Sequence, residues 1–143
     1  MGAGVCGVVA FVWLVALSVF DVTARRLPNW LTLPGALVIV AVAFMAGRGV
    51  AALIGSSALF LVYLTVHLLA PAAMGAGDVK LAIGLGALTG SFGVDVWAMA
   101  ALTAPLVTAT WAVVAMMCRR ESTVPHGLSM CLAAATATAL AVS

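Results

Sequence analysis

Val79-Lys80-Leu81-Ala82-Ile83-Gly84-Leu85-Gly86-Ala87-Leu88-Thr89-Gly90-Ser91-Phe92-Gly93 is short, rich in glycine and apolar, and its reading decides the fold. A spanning helix needs about 20 apolar residues at about 1.5 Å each, with a lower limit near 17. If this segment is a span, the chain has six, together with Ala3–Phe20, Leu31–Gly47, Val50–Leu69, Val96–Cys118 and Leu128–Val142. If it is not, the basic residues near positions 80 and 120 fall on opposite faces of the bilayer. With six spans and the N-terminus outside, Arg25, Arg26, Lys80, Arg119 and Arg120 lie inside and Arg48 alone lies outside. That asymmetry obeys the positive-inside rule. The reading is therefore an all-α integral membrane protein: six transmembrane helices in one bundle, a single domain over residues 1–143, N-terminus outside. Connections are brief, so sequence neighbours pack antiparallel. Pro34 is assigned to the first turn of its span, where a missing N–H is tolerated.

Composition demands the same solvent. Of 143 residues, 66% are hydrophobic and 7% charged, and mean hydropathy is +1.29. Soluble domains carry about 25% charged residues, so lipid is the medium. A net charge of +2 gives no purchase on nucleic acid. Cys6, Cys118 and Cys131 form no CxxC pair, which points to neither zinc nor a disulfide framework; they read as small buried hydrophobes. Residues 1–20 lack a basic start and an A-x-A site, so the segment is expected to stay as a span rather than be cleaved. Gly86 with Gly90, Ala133 with Ala137, and the Gly55-Ser56-Ser57-Ala58 patch offer small surfaces for close helix packing. Trp13, Trp30, Trp97 and Trp111 are candidate interfacial anchors.

Only four acidic side chains exist. Asp21 closes the first apolar run, in Asp21-Val22-Thr23-Ala24-Arg25-Arg26-Leu27-Pro28-Asn29. Asp78 opens the fourth, in Met74-Gly75-Ala76-Gly77-Asp78-Val79-Lys80-Leu81. Asp95 and Glu121 read as loop charges. A carboxylate deep in a bilayer costs about 2.5–3.5 kcal/mol on insertion scales, so an acid in such a chain calls for a reason. In the six-span arrangement both Asp21 and Asp78 lie at the cytoplasmic side at similar depth. They meet if the first and fourth helices are neighbours.

Two carboxyl groups about 3 Å apart do not both ionise; they share one proton. One then takes a proton from water while the other hydrogen-bonds the carbonyl under attack. That is aspartic peptidase chemistry, with no metal and no covalent intermediate. No Ser-His-Asp set is evident, and neither histidine lies in HExxH. Gly75 and Gly77 are expected to shape the loop before Asp78, by adopting positive φ and allowing a close substrate approach. Lys80 is either a substrate contact or a positive-inside anchor, and His67 either lines the cavity or lies at the interface.

At these residues the chain resembles the type IV prepilin peptidases, the A24 group of GxGD aspartic membrane proteases. That group pairs an Asp, followed by a basic stretch and an Ile/Leu-Pro-Asn/Asp element, with a second Asp in Gly-x-Gly-Asp-x-Lys-Leu. Val124-Pro125-His126-Gly127-Leu128 is a softer match to a Pro-aromatic-Gly element, with His126 at the aromatic position. The resemblance implies a catalytic pair, Asp21 and Asp78, with Gly75, Gly77, Lys80, Pro28 and Asn29 binding substrate or shaping loops. It implies cleavage of a basic leader from prepilin or pseudopilin helices in a bacterial or archaeal cytoplasmic membrane, at the cytoplasmic face. No cofactor or metal is expected. Larger members carry an N-terminal CxxC segment and methylate the new terminus; nothing here corresponds to it, so peptidase activity without methyl transfer is expected. Two other classes compete: a proton- or cation-coupled carrier using the two acids, and a non-catalytic scaffold. Against the carrier, no half of the chain repeats the other.

Overall fold

The computed structural model describes residues 2–24, 27–72, 74–118 and 126–142, with side chains from residue 7 onward. Arg25, Arg26, Arg119, Arg120, Glu121, Val124, Pro125 and the Cys6 side chain lie outside the described residues. Six helices and no strand are present among them: α1 (Gly2–Ala24), α2 (Asn29–Met45), α3 (Gly49–Leu69), α4 (Ala76–Phe92), α5 (Val94–Met117) and α6 (His126–Val142).

The segment that decided the reading is the centre of the molecule. α4 packs against α2, α3, α5 and α6. Leu81, Ala82, Leu85, Gly86, Leu88 and Thr89 are buried around its whole circumference. A helix surrounded by protein needs neither a long apolar run nor a lipid-facing stripe, which is why its sequence signal is weak. The outer helices differ. Phe11, Val12, Leu37, Ile54, Leu102 and Leu106 point outward and are more than half exposed, a surface suited to lipid. Three helical stretches, Gly7–Ala24, Gly49–Leu69 and Val94–Met117, are long and apolar enough to cross a membrane. α2 and α6 are apolar but have 17 residues each, about 26 Å of helix.

Glycine lets α3 and α4 close on each other. A β-carbon added to Gly55 would lie 2.5 Å from the Gly86 carbonyl oxygen and 2.8 Å from Gly90 Cα. One added to Gly86 would lie 2.5 Å from Gly55 O. The opposing atoms are backbone and cannot yield. The small surfaces expected at 55, 86 and 90 therefore face each other, and Ala133 and Ala137 are buried on α6. Gly86→Leu is expected to force the pair apart and lower stability by about 3 kcal/mol or more, read as a fall in thermal midpoint in detergent. An unchanged midpoint would show that the contact is loose.

Several expected boundaries move. α1 does not stop at Phe20; it runs through Asp21 to Ala24. α2 begins at Asn29, with Pro28 in the N-cap position accepting the Leu31 and Thr32 amides at 3.0 and 3.1 Å. Pro34 is consequently the sixth helical residue and not in the first turn. Its missing N–H deprives the Trp30 carbonyl of a helical partner. Asp95 is not a loop charge but lies in the first turn of α5, where the helix dipole favours an acid. Trp13 and Trp97 face inward: their indole N–H groups donate to Leu31 O and Gly55 O, both at 2.9 Å. Trp30 and Trp111 are exposed.

Candidate active site

Asp21 lies one turn before the end of α1, turned into the bundle and only 9% exposed. Its Oδ2 accepts the Leu128 amide at 2.8 Å. The first four amides of a helix have no partner within it, so an acid from α1 caps α6. Gly127 makes this approach possible. A β-carbon there would come within 2.9 Å of both Cγ and Oδ2 of Asp21.

Asp78 is the third residue of α4, at the positive end of its dipole, with its amide bonded to Gly75 O at 3.1 Å. The positive φ expected at Gly75 and Gly77 is absent. Gly75 is extended (φ −74, ψ 148) and Gly77 is helical; the glycines with positive φ among the described residues are Gly47 and Gly93. These two sit in the tight α2–α3 and α4–α5 joints, where the chain reverses. Gly75 is not held to glycine by space either. A β-carbon on it would stand 3.6 Å from Asp78 Oδ2, an ordinary contact.

Asp21 and Asp78 lie within electrostatic range of each other. The condition that α1 and α4 be neighbours is met only in part. Among the described residues no Cα of α1 comes within 8 Å of a Cα of α4. Side chains bridge the gap: Trp13 of α1 packs on Gly84 of α4, and Leu14 and Leu17 share a core with Leu81 and Leu85. α6 packs on both helices.

The two Asp-bearing segments also meet beyond the acids. Leu27 packs on Gly77, where an added β-carbon would lie 3.4 Å from it. Lys80 Nζ donates to Asn29 Oδ1 at 2.9 Å. Leu27, Asn29, Gly77 and Lys80 thus form a clasp at one end of the bundle, and Pro28 takes part only as the cap of α2. His67 Nδ1 is 2.8 Å from Met74 O, which ties the end of α3 to the loop before α4.

Sequence reasoning missed Tyr63, 5% exposed within α3. Its hydroxyl lies 3.3 Å from His126 Nε2, and His126 Nδ1 lies 2.7 Å from Thr108 Oγ1. Tyr63 is within electrostatic range of Asp78, and His126 within range of Asp21. One signal was available: Tyr63 is the sole tyrosine, and it sits in an otherwise apolar run. His126 was read as a stand-in for an aromatic, not as a hydrogen-bonding group. Buried Cys131 also neighbours both acids. Among the described residues, no three His, Cys, Asp or Glu side chains converge as metal ligands do.

No curated protein and no solved structure matches the chain. A family model does, from residue 8 to residue 119, a stretch that contains both aspartates and stops short of α6. Over that match the chain belongs to the type IV leader peptidase family.

Proposed function

We propose that the chain is an intramembrane aspartic endopeptidase that removes the basic leader from type IV prepilins or pseudopilins. Family membership supports a peptidase. The observation that supports the aspartic mechanism is that Asp21 and Asp78, from separate helices, lie within electrostatic range of each other, in segments joined by the Leu27–Gly77 and Asn29–Lys80 contacts. All six helices span the bilayer in this reading, the N-terminus is outside and the acids lie at the cytoplasmic face. The positive-inside bias supports that orientation. Lys80 stands near the start of α4, while Arg48 Nη1 donates to Ser91 O near its other end, at 3.3 Å. The one outer cation and an inner one are thereby held at opposite ends of one helix.

The chemistry follows from a shared proton. The ionised acid takes a proton from water as the water oxygen bonds to the scissile carbonyl carbon. The protonated acid gives its proton to the carbonyl oxygen, forming a gem-diol. The diol collapses, the C–N bond breaks and the amine leaves with a proton. The products are a carboxylic acid and a new amino terminus, and the pair has regained its single proton. The substrate's apolar helix lies in the same bilayer, so it reaches the site by lateral diffusion.

The test is cleavage of candidate prepilins by the purified protein in detergent, with the products read by mass. One cut between the basic leader and the apolar helix is expected. Intact prepilins throughout, with a folded enzyme, would refute the reading.

A further inference from the structure

Trp13 fills the space between the two helices that carry the acids. One edge of its indole is pinned to α2, where Nε1–H donates to Leu31 O at 2.9 Å. The other edge reaches α4: a β-carbon on Gly84 would lie 2.7 Å from Trp13 Cη2. A β-carbon on Gly35 of α2 would overlap Nε1 itself. Two glycines on different helices thus make a niche for the ring, which cannot pivot away from α4 without giving up its hydrogen bond. Trp13, Leu17 and Asp21 follow one another at four-residue spacing on one face of α1, and Leu17 is fully buried. α1 is one continuous helix from Gly2 to Ala24, so a displacement at Trp13 carries to Asp21, about 12 Å further along the axis. α4 cannot retreat, because it is seated among α2, α3, α5 and α6 with Gly86 already against the backbone of α3.

We propose that Trp13 is a positioning residue: an indole spacer, seated on Gly35 and Gly84, that sets the separation of α1 from α4 and so the distance between Asp21 and Asp78. The consequence for cleavage rests on the aspartic peptidase reading, whereas the spacing does not. The niche can be perturbed from both sides. Ordinary carbon–carbon contact is about 3.5–4.0 Å, so a methyl group at 84 lacks about 1 Å of room against the ring and drives α1 outward. Leucine at 13 removes the ring edge that meets Gly84, and α1 settles inward. Each change supplies what the other lacks, so the two together restore the separation.

Two measurements test it. Spin labels on Val22→Cys and Ala76→Cys, both exposed positions, read the α1–α4 separation beside the acids in protein whose Cys6 and Cys118 are replaced by serine. The mean distance is expected to lengthen by about 1 Å in Gly84→Ala, to shorten in Trp13→Leu, and to return toward wild type in the double variant. In the cleavage assay each single variant is expected to lower kcat by at least about tenfold with KM unchanged, and the double variant to recover most of the loss. A tryptophan that only packs would give two independent defects whose losses multiply. An unmoved distance in either single variant overturns the spacer. Wild-type kcat despite a moved distance, or losses that multiply in the double variant, overturns the positioning role. Trp13→Phe keeps most of the ring and decides if Trp13→Leu does not fold: a smaller inward shift with a smaller loss of kcat is expected, and no shift overturns the spacer. Failure of the peptidase reading looks different: Asp21→Asn and Asp78→Asn would then cleave normally while the labels still moved.

Discussion

Asp78→Asn and Asp21→Asn are each expected to lower prepilin cleavage by at least about a thousandfold while leaving the protein folded and membrane-inserted. The carboxamide matches the carboxyl in size but carries no acidic proton and cannot take one from water, so either change leaves the pair without a proton to share. The structure also makes Asn the informative replacement at 21. An Asn oxygen still accepts the Leu128 amide that Asp21 Oδ2 holds at 2.8 Å, so α6 stays capped and docked. Asp21→Ala removes chemistry and cap together. The measurement is conversion of a prepilin beside thermal midpoint and helical content for all three variants. Loss of cleavage at wild-type midpoint in both Asn variants assigns the role to the acids; normal conversion by either one excludes it.

Much of this architecture was legible because the medium leaves few options. Unpaired backbone groups are too costly in lipid for anything but helices or closed barrels, so long apolar runs such as 50–69 mark their own helices, and α3 begins one residue earlier, at Gly49. The ends were less legible. Asp21 reads as the stop of an apolar run, yet α1 passes through it, because hydropathy registers polarity while the helix responds to backbone hydrogen bonding. Asn29 and Ala76 start helices that hydropathy places later, for the same reason.

The site was legible where it consists of local motifs and not where it is made by packing. Asp21, Asp78, Lys80 and Asn29 stand in short recognisable strings, and the structure brings both strings together. Tyr63, Thr108 and Cys131 have no local string, since each reaches the site through the crossing of its helix with others. The glycines carry a similar lesson. A glycine beside a functional Asp invites a backbone argument, but Gly77 is helical and Gly75 extended. At 127 glycine leaves room beside a carboxyl, a reason that depends on the neighbouring atoms.

Gly127 supplies the second large effect. A β-carbon at 127 would stand 2.9 Å from Cγ and 3.1 Å from Oδ1 of Asp21, closer than ordinary contact. The carboxyl must swing away or α6 must lift, and either movement loosens the 2.8 Å bond from the Leu128 amide. The neighbouring atoms are the end of a short side chain rather than backbone, so the fold can yield at modest expense. Alanine is therefore expected to lower stability by only about 1 kcal/mol, but to displace an acid that the proposed mechanism requires in near-contact with its partner. A misplacement of about 1 Å can lower the rate about a hundredfold, and that is the expected loss in kcat for Gly127→Ala. Gly127→Val, which adds two methyl groups at the same point, should leave no measurable cleavage. The comparison that decides is with Ala135→Val, a substitution on the same helix at a half-buried position away from the acids. If Gly127→Ala loses kcat while Ala135→Val at similar stability does not, the close seating of Asp21 against α6 sets the rate. Equal activity in the two would mean that Asp21 tolerates displacement and that the packing of α6 against it is structural only.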